Sequence, residues 1–241
     1  MTFKIIPWKA LLTLLVITLF LLIANITVDT IRLETGGDRR WELIRKFFDF
    51  NNEKGIPTLY SVLLLFSSAL ILFLVGLSKR KTGDSTRYWY GLSFIFLFLS
   101  VDEFVEIHEH LIGITARYFH TSGFLYFAWI IPYGLLFIVF SFLYLRFLLS
   151  LPRKVMWLFI AAGTIYVTGA IGFESVGGWY IEKHGEENAV YCLLYTCEEL
   201  LEMLGIDLFI YALLTYVVDQ FPYFSITVRE KPVSQVSAAS S

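Results

Sequence analysis

Six stretches of about twenty mostly apolar residues, each long enough to cross a bilayer as a helix, run through this chain. They cover about residues 10–28, 57–78, 88–112, 124–149, 155–180 and 187–218. Hydrocarbon offers the backbone no water, so such segments must close their hydrogen bonds internally, as helices do. The expected fold is therefore all-α: a polytopic integral membrane protein with six transmembrane helices in a bundle over residues 1–221. The polar segment 222–241, ending Ser-Ala-Ala-Ser-Ser, is expected to be a disordered tail. Composition agrees, since 57% of the residues are hydrophobic and only 17% charged, against about 25% charged in soluble domains. A soluble enzyme is excluded. Pro57 suits a first helical turn, and Pro132 predicts a kink in the fourth span.

The first stretch follows Lys4 and Lys9, as a signal peptide would. It lacks a small-x-small cleavage site, because Ala24 is followed by Asn25 and Ile26, so it reads as a span. With the N-terminus inside, the inner loops and ends collect basic residues, among them Lys79, Arg80, Lys81, Arg146, Arg153 and Lys154. The long outer loop from Asp29 to Gly55 balances six acids against six bases. Basic residues gather on the cytoplasmic side, which places both termini there. Within that loop, Arg39 to Phe48 has the apolar spacing of a short helix lying at the outer interface, as a lid or an anchor.

Formal net charge is −2, with no long basic cluster, so nucleic acid is not an expected partner; the expected partner is membrane lipid. Cys192 and Cys197 are too few for a disulfide framework and point different ways on one helix, so they read as free thiols.

Charges inside the membrane are costly and need a reason. At 100° per residue, Asp102, Glu103, Glu106, Glu109 and His110 fall within about 120° of arc on a continuous third helix, with His108 facing away. Glu109 and His110 lie close enough to the helix end to sit at the interface, and Glu109 and His108 are the weaker members of the set. Glu198, Glu199 and Glu202 form a second stripe on the sixth helix, extended by Tyr191 and Tyr195. The fifth helix adds Glu174, on a face of small residues that includes Gly163, Ala170, Gly177 and Gly178. Helix direction places all three sets in the outer half of the bilayer. Asp207 lies on the opposite side of the sixth helix, near mid-membrane, and needs a partner of its own.

So many carboxylates cannot share a low-dielectric pocket while all are charged. Either cations bind among them or they share protons with water. The first solution makes Asp102, Glu103, Glu106, His110, Glu174, Glu198, Glu199 and Glu202 the ligands of a one- or two-metal site. An oxygen-rich set with one histidine suits a divalent metal such as iron, manganese or zinc. Such a protein is expected to be a metal-dependent membrane oxidoreductase or hydrolase acting on a lipid or quinone. Two other classes use the same residues: a proton- or cation-coupled transporter or channel, and a non-catalytic membrane assembly subunit. The apolar inner half of the third span, Phe94 to Leu99, counts against conduction. A glycine-rich phosphate loop, a Gly-x-Ser-x-Gly elbow and a His-Glu-x-x-His pair are all absent.

The orientation is directly testable. Reporter fusions after Lys81 and after Lys154 should both report the cytoplasm, and an outside signal at either overturns the assignment.

Overall fold

The structure is a computed structural model that describes residues 2–3, 6–35, 39–81, 86–118, 121–221 and 226–227. It is all-helical apart from a two-residue antiparallel pairing of Thr2–Phe3 with Ile226–Thr227, which joins the two ends of the chain. Beyond that pairing, the polar tail lies outside the described residues. Among the described residues nine α-helices follow one another: α1 (Pro7–Thr35), α2 (Arg39–Phe48), α3 (Ile56–Lys81), α4 (Arg87–Val105), α5 (Ile107–Tyr118), α6 (Ile130–Ser150), α7 (Arg153–Val167), α8 (Glu174–His184) and α9 (Ala189–Gln220). A six-residue π-helical segment, Thr168–Phe173, links α7 to α8 into one span. Among the described residues six helices are long and apolar enough to cross a membrane: Pro7–Thr35, Ile56–Arg80, Arg87–Val105, Ile130–Ser150, Arg153–His184 and Ala189–Gln220.

Their boundaries follow local chemistry. α1 starts on Pro7 and α3 has Pro57 in its first turn, where a missing N–H costs nothing. The Asn188 side chain caps α9 by accepting from the Tyr191 N–H at 3.0 Å. α6 begins at Ile130, later than the sequence pattern suggests, after a 3₁₀ turn at Gly123–Leu125. Pro132 thus lies in the first turn of α6, where no carbonyl-bound N–H is lost and no kink is required. α2 keeps Trp41, Leu43, Ile44 and Phe47 exposed, as an interfacial helix does.

α9 is the axis of the bundle. Of its most apolar stretch 61% is buried inside the protein, against 11% for α6, which stands at the rim. α1, α3, α7, the π segment and α8 all pack on α9. Towards its C-terminal end, Phe209 stacks on Phe96 (ring centroids 4.5 Å apart) and contacts Phe159 at 4.7 Å. Towards its N-terminal half, polar contacts tie it to α1: Asn25 donates to Thr196 at 2.9 Å, and Tyr195 donates to Asp29 at 2.7 Å. Asp207 is fully buried and accepts from Thr18 at 2.8 Å and from Tyr60 at 3.3 Å. Two hydroxyl donors from α1 and α3 therefore supply the partners that this residue needs. Cys192 and Cys197 are free thiols.

Close approach of α7 to α9 rests on two glycines outside the small-residue face read from the sequence. A Cβ at Gly205 would stand 2.8 Å from the Tyr166 backbone nitrogen, and one at Gly169 would stand 2.7 Å from the Glu198 carbonyl oxygen. Gly178 packs against Tyr126 and Phe127, whereas Gly163 meets nothing within 4 Å. Gly205→Ala should therefore lower stability by about 1–3 kcal/mol, the usual cost of overpacking. Gly134→Ala, on α6 with open space around it, serves as control. Equal melting temperatures for the two variants in detergent would contradict the packing.

Candidate carboxylate site

The site begins where α4 stops. Val105 is its last residue, and Glu106 adopts a left-handed conformation (φ 61°, ψ 41°), the only non-glycine with positive φ among the described residues. An L-residue rarely sits there, and no glycine or proline marks the position. The continuous helix read from the sequence through residue 112 is therefore broken, and the helical phase beyond Val105 does not hold. His108, which faces away on a continuous helix, turns back towards Asp102 instead. Its backbone N–H donates to Asp102 Oδ1 at 2.9 Å, and its Nδ1 lies 3.5 Å from the same oxygen. The ring packs on Trp129, with centroids 5.2 Å apart. His110, placed on the stripe by phase, is exposed, and its Nδ1 lies 2.6 Å from the Glu106 carbonyl oxygen.

Asp102 is buried and fully engaged, since Tyr133 donates to its Oδ2 at 3.0 Å. Glu174 opens α8 immediately after the π segment and accepts from Trp129 Nε1 at 3.1 Å. On α9, Glu198 has Glu174 beside it, and Glu202 has Tyr166 beside it. Glu199 shares this neighbourhood with Glu103, Glu174 and His108. Burial opposes a charged His108 ring, but the hydrogen bond and negative charge of Asp102, with Glu103 and Glu174 beyond, outweigh it and raise its pKa.

These groups surround one cavity of about 1470 Å³. Asp102, Glu103, His108, Glu109, Glu174, Glu198, Glu199 and Glu202 all line it, while Glu106 and His110 do not. The structure thus brings α4, α5, α8 and α9 together around this cavity and gathers a second set at its mouth. The ligand oxygens of Glu53, Glu106 and Glu109 all lie within 4.8 Å of one another, a spacing that can hold a metal ion. Lys54 Nζ lies 3.6 Å from Glu106 Oε1.

Glu53 is the residue that the sequence pattern conceals. It sits in a loop three residues before α3, where an acid normally belongs to solvent. The loop is turned inward by Phe50, whose N–H donates to the buried Asn25 at 2.8 Å, and by Gly55, whose N–H donates to the Asn52 carbonyl at 2.9 Å. Glu53 consequently lines the cavity, with Oε2 buried and without a hydrogen-bond partner among the described residues. Burial, then Glu109, Glu106 and Glu103, push its pKa from 4.5 to about 9.

The chain matches, over residues 11–217, the family described as a domain of unknown function (DUF8692). No curated protein and no solved structure matches it.

Glu53 predicts a pH dependence of definite sign. Between 4.5 and about 9 the folded state keeps a proton on Glu53 that the unfolded state has released. Stability therefore falls as pH rises through that window. Melting of metal-free protein in detergent should decline over this range, and Glu53→Gln should flatten the decline. Parallel curves for the two proteins would contradict the buried placement.

Proposed function

We propose that this chain, which belongs to the DUF8692 family, is a multi-pass membrane metalloprotein acting on a lipid or quinone. Both termini are cytoplasmic and the carboxylate site lies in the outer half of the bilayer. The observation that carries this reading is the convergence on one cavity of Asp102, Glu103, His108, Glu174, Glu198, Glu199 and Glu202, with no Lys or Arg among its lining residues. Like charges gathered around one low-dielectric cavity repel unless protons or cations intervene. A one- or two-metal site answers that demand. His108, the histidine that lines the cavity, is the available nitrogen donor in place of His110, and Glu53–Glu106–Glu109 is the one group among the described residues whose ligand oxygens stand at metal-holding spacing.

Oxygen donors with one imidazole suit iron, manganese or zinc. In this reading a bound metal activates water or dioxygen. The chain's own residues orient the ligands: Tyr133 and the His108 backbone hold Asp102, and Trp129 holds Glu174. The π segment just before Glu174 is a common device for re-aiming a side chain at a functional site. Conduction is disfavoured because the cavity's inner wall is apolar, with Phe94, Phe96, Phe159 and Phe209.

Elemental analysis of protein purified in mild detergent should find iron, manganese or zinc in stoichiometric amount. Glu106→Gln and Glu202→Gln should each lower metal content and melting temperature together. Chelation should destabilise the wild type more at neutral pH than in acid, because metal binding needs deprotonated ligands. Variants at least as stable as the wild type, with no chelator effect, would refute the metal reading and leave acids that share protons.

A further inference from the structure

The cavity extends well beyond the carboxylates. Its volume of about 1470 Å³ exceeds the roughly 300–1,000 Å³ usual for small-molecule sites. Away from the acids it continues as an apolar chamber between α4, α6, α7 and α9, walled by Phe96, Leu99, Phe140, Phe159 and Phe209. This chamber opens sideways. α4 and α6 are joined towards the cytoplasmic end of α4, where Tyr88 and Trp89 pack on Phe147 with centroids 5.2 and 5.1 Å apart. They are joined again at the other end by Tyr133 donating to Asp102 at 3.0 Å. Between the two ties, Phe94 and Leu136 line the cavity and are nevertheless 70% and 61% exposed. The two helices therefore frame a slot whose lips are apolar, and in the proposed setting those lips face hydrocarbon.

The head end of the cavity sets the charge of what enters. Nine of its lining residues are Asp or Glu, none is Lys or Arg, and His108 is its one basic group. Even two divalent cations would leave that end negative, so an anionic head is repelled there. We infer that the ligand is a long-chain amphiphile with an uncharged, oxygen-bearing head, a hydroxyl or carbonyl, which enters from the bilayer through the α4–α6 slot. Its chain lies in the phenylalanine-lined chamber and its head oxygen reaches the carboxylate site. The head assignment rests on the metal reading given above, and the chain seat does not.

Three photoreactive probes test this, each with the same diazirine-bearing alkyl chain and a hydroxyl, phosphate or amine head. The full chain is labelled in lipid nanodiscs and the adducts are located by mass spectrometry. The alcohol probe should label Phe94, Phe140 and Phe159, at least about tenfold more than the phosphate probe, the ratio that corresponds to about 1.4 kcal/mol. Gly163 lines the chamber with open space beside it, so Gly163→Phe should suppress this labelling. Should that variant melt early, Leu136→Trp at the slot must suppress it instead. Phosphate labelling equal to that of the alcohol overturns the head assignment. Preferential amine labelling overturns it as well, and also removes the need for a metal. Adducts confined to the outward faces of α1 and α6 overturn the chain seat whatever the metal content. If the protein as purified carries no stoichiometric metal, that result overturns the metal reading alone, and labelling of the chamber still leaves the seat standing.

Discussion

Repulsion among carboxylates gathered around one cavity is the constraint that the rest of the molecule answers. Glu103, Glu174, Glu198, Glu199 and Glu202 face a common space with Asp102. Taking a charge out of water costs several kcal/mol even after relaxation, and like charges add to that. The surrounding structure supplies neutral donors, two for Asp102 and one for Glu174, with His108 the one basic group lining the cavity. Those bonds fix where the oxygens point but add no positive charge. In the proposed function, the charge that neutralises these acids enters from outside as a cation.

The bundle makes this arrangement possible by concentrating its rigidity in α9. That helix carries three of the acids on one side and packs against α1, α3 and α7 on the others. Gly169 and Gly205 let the backbones of the two helical spans meet, which brings Glu174 and Tyr166 against the α9 acids. Asp207, on the opposite side, is satisfied by Thr18 and Tyr60 and belongs to the packing of α1 and α3 on α9. One helix thus bears a buried acid and a half-buried set. Asp207 is paired with hydroxyl donors in a dry interface, and Glu198, Glu199 and Glu202 open onto a cavity.

Much of this was legible in the residues, because periodicity and length are strong signals in apolar sequence. The six long apolar helices appear where the six stretches stand, and the phases of Glu198 and Glu202 are those of an unbroken helix. What could not be read depends on departures from regular geometry. The left-handed Glu106 carries no glycine or proline to announce it, yet it exchanges the places of His108 and His110. The π segment contains Gly169 and Gly172, but nothing in its residues tells a π turn from a continuing α-helix. Glu53 reaches the cavity only because Phe50 and Asn25 fold its loop inward, a long-range contact between residues 25 positions apart. Local spacing can place side chains along a helix; it cannot say where a helix gives up its phase or which loop turns in.

The account's central claim is that a cation, rather than protons, completes the carboxylate site. Calorimetric titration of chelator-stripped protein with manganese or zinc, repeated in buffers of different ionisation enthalpy, tests that claim most directly. Stoichiometric binding with a buffer-dependent heat is the predicted result, because acids that shared protons must release them as the metal enters. Absence of binding heat with either metal, in protein that remains folded, would contradict it.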